Sequence, residues 1–232
     1  SIYEIMCEQQ VEPLGIENKS PRFSWKVVSQ QRAYRQSAYR ILVTDIEGAL
    51  AADEGTIWDS GKCFSSNSVL IPFQGRELHS ATRYYWKVKV WNEAGEESVW
   101  SKQGSFVTGM MKERDWGKAQ WIALEKDDPE KNLYPGIHAP LVGKMIGGRK
   151  VGGYKLPMFR KELLINKEVK EAIVNISGLG HFDFYVNGEK VGNHFLDPGW
   201  TNYAKTALYL TFDVTPLLKK ENVLGVKIGR AS

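Results

Sequence analysis

The sequence predicts an all-β chain made of two sandwich modules, and three observations carry that reading. Between Phe23 and Phe106, short aromatic-rich runs alternate apolar and polar residues and recur at regular intervals, separated by turn residues. A second cue is the hairpin pattern: Phe182, Phe184 and Val186 alternate with Asp183 and Tyr185, and Asn187-Gly188 supplies the two φ > 0 positions of a type I′ turn before Glu189-Lys190-Val191. The third is negative. No segment shows a persuasive 3.6-residue period.

In the first module the expected strands are 23–27, 38–43, 56–58, 68–71 and 84–91. Asp53-Glu54-Gly55, Pro72 with Gly75, and Asn92-Glu93-Ala94-Gly95 turn the chain between them. Six or seven strands at this interval argue for two packed antiparallel sheets. Trp25, Trp58, Trp86, Trp91 and Trp100 invite comparison with the indole platforms on which sugars stack. In strands of period two, though, most such faces are core, and packing is the better reading.

Residues 109–116 break the alternation and read as a linker, which places the first module at 1–108 and the second at 117–232. Trp116 to Ile122 opens the second module with a strand. The stretch from about Asp127 to Leu156 is rich in glycine and poor in bulky apolar residues, an irregular excursion of the functional or mobile kind. Strands resume at 158–165 and 171–176, continue through the hairpin, and end with 207–212 and 223–228. Between the last two, 213–219 holds at most one helical turn, with Asp213 or Thr215 capping it and Pro216 at its first position.

Composition narrows the function. The 232 residues carry 31 basic and 27 acidic side chains, a formal charge of +4. The basic residues are scattered rather than gathered into a stripe with aromatics, so nucleic acid is not indicated. No apolar run approaches the ~20 residues of a membrane span. Ser1-Ile2-Tyr3-Glu4 has no basic-then-apolar leader, so an exported protein with this start would already have shed its signal. Cys7 and Cys63 lack metal-ligand spacing and could form at most a single bridge. Gly178-Leu179-Gly180 precedes a strand rather than a helix and is no dinucleotide fingerprint.

The loop after the hairpin is the chemically dense part of the chain. Asn193, His194, Asp197, Trp200, Asn202 and Tyr203 crowd around Pro198-Gly199, a load that turning alone does not require. Glycoside hydrolysis needs two carboxylates roughly 5–9.5 Å apart. Asp183 and Asp197 are the local pair to weigh. Asp183, however, sits on the outward face of its strand, and Asp197 precedes a Pro-Gly turn where aspartate commonly caps backbone. No catalytic residue is assigned. His181 and His194 are isolated in sequence and read as packing or surface residues.

Gly178-Leu179-Gly180 ahead of Phe182, then Asn187-Gly188 with Val191-Gly192, then Asp197-Pro198-Gly199-Trp200-Thr201 with Tyr203 resemble the N-terminal non-catalytic domain of bacterial α-L-rhamnosidases. Pro13 to Ile16, Pro21 to Trp25, Trp58 to Gly61 and Tyr85 to Trp91 look like the fibronectin-III-like module that opens many of these enzymes. The resemblance implies an immunoglobulin/fibronectin-III-like sandwich followed by a partial jelly-roll-like one. It also implies a parent enzyme that releases terminal α-L-rhamnose with inversion, without an organic cofactor, through an acid and base in a helical barrel several hundred residues further on. The expected partners are a rhamnose-containing glycan and that missing barrel, and the expected setting is a periplasm or cell exterior.

Some members carry a calcium-dependent rhamnose site in this second module. By that resemblance Trp200, Tyr203, Asn193 and Asp197 would bind sugar, and Asn193 and Pro198 would offer calcium an amide oxygen and a backbone carbonyl. The Asp-Asn pair that those members add has no clear counterpart here, with Asp127-Asp128 and Asn132 the nearest. In the alternative reading, Asn193 and Asp197 merely close the loop by hydrogen bonds. The rival for the whole chain is an adhesin- or receptor-like interaction module with no sugar role. A sandwich cut within its last strands would further expose the edge of 223–228, apolar at Val223, Leu224, Val226 and Ile228, and invite self-association.

Overall fold

The computed structural model describes residues 1–123 and 157–229, with the backbone of 145–146 and 149–150 between them. The chain divides into two compact units, Ser1–Gly117 and Lys118–Ser232. The expected excursion, with Asp127, Asp128 and Asn132, lies outside the described residues apart from two short paired strands, β9 and β10, given below.

The first unit contains β1 (Ile2–Cys7), β2 (Arg22–Val27), β3 (Gln36–Thr44), β4 (Trp58–Asp59), β5 (Cys63–Phe64), β6 (Ile71–Pro72), β7 (Arg83–Asn92) and β8 (Gly104–Val107). One sheet runs β1-β2-β6. The other runs β4-β3-β7-β8, with β5 also pairing β3. Period-two alternation does what the sequence suggests along β7, where Tyr84, Trp86, Val88 and Val90 are buried. Their cross-strand neighbours Tyr39, Ile41 and Val43 on β3 face the same core. Phe23 seals it from the other sheet, 4.5 Å from the Trp86 ring and 5.9 Å from Phe106.

Trp25 and Trp86 are fully buried and Trp58 packs on the same core. Each buried indole stabilises the fold by about 5 kcal/mol, from roughly 200 Å² at about 25 cal/mol/Å². Trp91 and Trp100 instead lie half-buried on the outer face. There the Lys62 ammonium sits 4.5 Å from the Trp91 ring, and those of Lys87 and Lys89 sit 4.5 and 4.7 Å from Trp100.

Two strand boundaries depart from expectation for backbone reasons. β1 was not legible because its pairing with β2 slips between Tyr3 and Met6, where Glu4 adopts φ 45°, so its side chains do not alternate. The strand expected over 68–71 shrinks to Ile71–Pro72 because Leu70 adopts φ 55°. Cys7 and Cys63 are free thiols, so the bridge that the sequence left open is not formed. Residues 109–116 are fastened to the first unit. Gly109 N–H donates to Ile16 C=O at 2.9 Å, Met111 N–H to Ser80 Oγ at 2.7 Å, and Lys112 pairs with Glu77 at 2.6 Å, leading into a 3-10 turn at Glu113–Trp116.

The second unit contains β9 (Met145–Ile146) and β10 (Arg149–Lys150), which pair with each other, then β11 (Met158–Leu164), β12 (Ile173–Ser177), β13 (Phe182–Val186), β14 (Glu189–Lys190), β15 (Tyr209–Asp213) and β16 (Glu221–Ile228). A four-stranded sheet, β11-β16-β13-β14, and the pair β12-β15 enclose a core of Phe182, Phe184, Val186, Val191, Phe212 and Val214. Asn187 and Gly188 take φ 53° and 86°, the conformation that the hairpin demanded. In the turn at Thr215–Leu217 Pro216 stands in the first helical positions, and Asp213 Oδ1 accepts from Thr215 N–H at 3.0 Å.

The strand expected over 116–122 is not formed: Trp116 ends the 3-10 turn, and residues 117–123 carry no strand. A second expectation is overturned as well. Strand 223–228 is not an edge, because β16 pairs β13 on one side and β11 along its whole length on the other. Its apolar residues were read as a sticky flank, but Leu224, Val226 and Ile228 pack on the core. A strand flanked on both sides needs no partner. Among the described residues β11, at the end of that sheet, is paired on one side only.

Candidate sugar-binding loop

Hairpin β13-β14 sets the position of the loop that follows. Val191 N–H donates to Phe184 C=O at 2.8 Å, and Phe182 N–H donates to Asp197 C=O at 2.7 Å, so the first half of the excursion is pinned to β13 at both of its ends. Gly192 makes the first bend at φ 77°. A Cβ there would stand 3.0 Å from the Phe212 ring, so this position requires glycine on two counts. Val191 and Pro198 are buried beneath the loop, while Phe195 is 86% exposed, Leu196 70% and Trp200 55%.

A chain of polar contacts runs along the loop. Lys190 Nζ reaches Asp183 Oδ1 at 2.6 Å and donates to the His194 C=O at 3.2 Å, and its ammonium lies 5.2 Å from the Phe195 ring. The hydrogen bond to Asp183 raises the Lys190 pKa above its ordinary value. His194 Nδ1 in turn meets Asp197 Oδ2 at 3.1 Å. Downstream, Asn202 C=O accepts from Lys205 and Thr206 N–H at 2.8 and 2.9 Å, and Asn202 Oδ1 accepts from Ala204 N–H at 3.1 Å, closing the turn that carries Tyr203.

All four expected sugar-binding residues thus belong to one surface excursion. Trp200 and Asn193 are exposed and Tyr203 and Asp197 half-buried. His194, which looked isolated in sequence, is the partner of Asp197 three residues on. Phe195 and Lys190 were missed as well. Their signal was an aromatic in a polar loop and a lysine two residues past the Asn-Gly turn, neither of which points anywhere without the fold. Asp183 and Asp197, the only carboxylates weighed as a catalytic pair, are each engaged, by Lys190 and His194 respectively.

Calcium takes six to eight oxygens. In the described loop the Asn193 amide and the Pro198 carbonyl would supply two of them, while the Asp197 carboxylate is held by His194 and its carbonyl by Phe182. The described residues alone do not fit a calcium shell, and no role is derived through one. A cleft of about 510 Å³ opens elsewhere, in the first unit, beside Val28, Gln31, Tyr34, Asn92 and Glu96. Its polar groups largely satisfy one another, since Glu96 Oε2 accepts from Asn92 Nδ2 at 2.8 Å.

Residues 2–112 match the Rha78A-like, N-terminal immunoglobulin domain, and residues 167–231 match the alpha-L-rhamnosidase N-terminal domain. An alpha-L-rhamnosidase of Formosa agariphila is 40% identical over 227 residues, 97% of this chain and 24% of that protein. Among solved structures, alpha-L-rhamnosidase from Dictyoglumus thermophilum superposes with a TM-score of 0.82 at 36% identity, over 99% of this chain and 25% of that one. The Streptomyces avermitilis alpha-L-rhamnosidase complexed with L-rhamnose gives 0.51 at 26% identity, over 100% and 22%. The chain spans about a quarter of the length of the relatives it matches. With its two matched domains in this order, the chain belongs to the N-terminal region of the α-L-rhamnosidase family, an immunoglobulin-like β-sandwich followed by the family's own N-terminal β-sandwich domain.

Proposed function

We propose that these two domains form a non-catalytic region of an enzyme that hydrolyses terminal α-L-rhamnose, with inversion, in a catalytic domain outside this sequence. In this reading the loop at 192–203 captures rhamnose-terminated glycans for that domain. The observation that carries it is Trp200, more than half exposed although it lies only three residues past Asp197, whose carbonyl is bonded to β13. An indole held there adds little to the core and offers a flat apolar plate. A 6-deoxyhexose has one markedly apolar face, and a plate bordered by an amide and a carboxylate, as Asn193 and Asp197 supply, suits it.

Calorimetric titration of the chain with L-rhamnose, with and without calcium, is the test. Millimolar binding that Trp200→Ala abolishes is the expected result, and calcium dependence would add Asn193 and Pro198 as ligands. An absence of heat at tens of millimolar sugar under both conditions would reduce the loop to scaffolding. Separately, the chain should release no nitrophenol from an aryl α-L-rhamnoside. Turnover lost on mutating Asp183 or Asp197 would overturn the non-catalytic reading.

A further inference from the structure

We propose that this chain pairs with a second copy of itself through β11, edge to edge and antiparallel, about a two-fold axis at Lys161. Among the described residues β11 is bonded on one side only, at the end of the order β11-β16-β13-β14. Its hydrogen-bonding phase is fixed at both ends. Ile228 N–H donates to Pro157 C=O at 3.0 Å, and Ile165 N–H donates to Lys220 C=O at 2.8 Å. Odd-numbered positions therefore turn their backbone groups toward β16, and Met158, Arg160, Glu162 and Leu164 direct theirs outward. Every residue of the strand is exposed except Phe159, which is half-buried.

The side chains select a second copy as the occupant. Positions equidistant from Lys161 are complementary: Arg160 would face Glu162, Met158 would face Leu164, and Phe159 would face Leu163. A two-fold axis perpendicular to the sheet pairs residues of like parity and keeps Phe159 and Leu163 of both copies on the core-facing side, where Phe159 already lies opposite Val226. It also makes the outward-directed even positions the hydrogen-bonded ones, so geometry and sequence agree on one register. About eight backbone hydrogen bonds would form across the seam. Arg160 and Glu162, now paired within the strand at 2.7 Å, would exchange that contact for two cross-strand pairs. Lys161 meets its own copy, the one discordant position, which keeps the association weak and reversible.

Sedimentation equilibrium on the full chain from about 1 to about 100 µM, a span suited to weak association, tests this. The expected result is a monomer–dimer equilibrium that Arg160→Glu or Glu162→Arg each weakens about tenfold, because either variant sets two like-charge pairs in the seam. The double variant should return the affinity to within about threefold of the original, which loss of folding or a generic charge effect would not do. Amides of Met158, Arg160, Glu162 and Leu164 should exchange more slowly as concentration rises. A monomer at all concentrations overturns the proposal. If those amides are then protected, another segment of the same chain covers the edge; if they exchange freely, the edge is solvated. A dimer indifferent to both single variants overturns it too.

Discussion

The turn asparagine of the β13-β14 hairpin does more than adopt φ 53°. Asn187 Nδ2 donates to Leu217 C=O at 2.8 Å and to Asn222 Oδ1 at 3.0 Å, and its Oδ1 accepts from Val223 N–H at 2.9 Å. Asn222, buried to 3% exposure, accepts from Lys219 N–H and donates to Lys219 C=O. The two amides thus tie the hairpin to the entry of β16, with both N–H donors of Asn187 engaged. Asn222→Ala would orphan several buried groups at once and should destabilise the second unit by about 2–3 kcal/mol, seen as a lower urea midpoint. Asn187→Gly keeps the turn conformation but loses the bonds, so it should cost about half as much or more; a neutral outcome would show that the φ preference was the whole role. In the first unit, Glu8 accepts from Arg22 N–H at 2.7 Å, pairs with Arg22 Nη2 at 2.6 Å and accepts from Asn18 at 3.2 Å. The Arg22 side chain is the main cause that lowers the Glu8 pKa. A carboxyl depressed in the folded state contributes stability above its unfolded value of about 4.3 and loses it as pH falls through the folded value. Glu8→Gln should therefore lower stability at pH 7 and flatten the loss between about pH 4.3 and lower values; an unchanged acid limb in a pH series of chemical melts would exclude the contribution.

At the scale of elements, β16 organises the second unit, since β11 and β13 both depend on it. Gly225 sits in its middle without a positive φ, and an added Cβ would come no closer than 3.7 Å, to Tyr185 Cβ, an ordinary contact. Glycine there carries backbone entropy for no packing return, so Gly225→Ala should stabilise this unit by about 0.5–1 kcal/mol. Gly104 in β8 is the opposite case. Its Cβ would lie 2.8 Å from Ile5 Cδ1 and 2.9 Å from Trp86 Nε1, in the seal between the two sheets, and Gly104→Ala should destabilise the first unit. Thermal melts of the pair separate the two signs, and like signs would contradict the packing argument. The hairpin was legible from Asn187-Gly188 because a two-residue turn leaves few alternatives. The partners of Val223–Ile228 were not, because alternation along one strand identifies which face is buried and says nothing about which strands lie beside it.

For the whole molecule, the cores that the described residues form differ in size between the two units. Trp25, Trp86, Tyr84, Phe23 and Phe106 fill the first, whereas three phenylalanines and three valines make up the fully buried part of the second. The second unit should unfold first, for lack of buried area rather than for an orphaned β16. Since Trp25 and Trp86 belong to the first unit while Trp121 and Trp200 are exposed, tryptophan emission should report a later transition than far-ultraviolet dichroism; coincident curves would mean that the units melt as one. By itself the sequence determined the all-β class, the I′ hairpin, the burial of Trp25 and Trp86 and the resemblance carried by Asp197 to Tyr203, since each rests on local periodicity, turn chemistry or a contiguous motif. Only the tertiary structure decided that β16 is central and β11 the edge, that His194 answers Asp197 and Lys190 answers Asp183, and that Trp200 stands clear of the core. Those depend on pairings between residues far apart in the chain, or on which side of a bend a side chain emerges, and no periodicity encodes either.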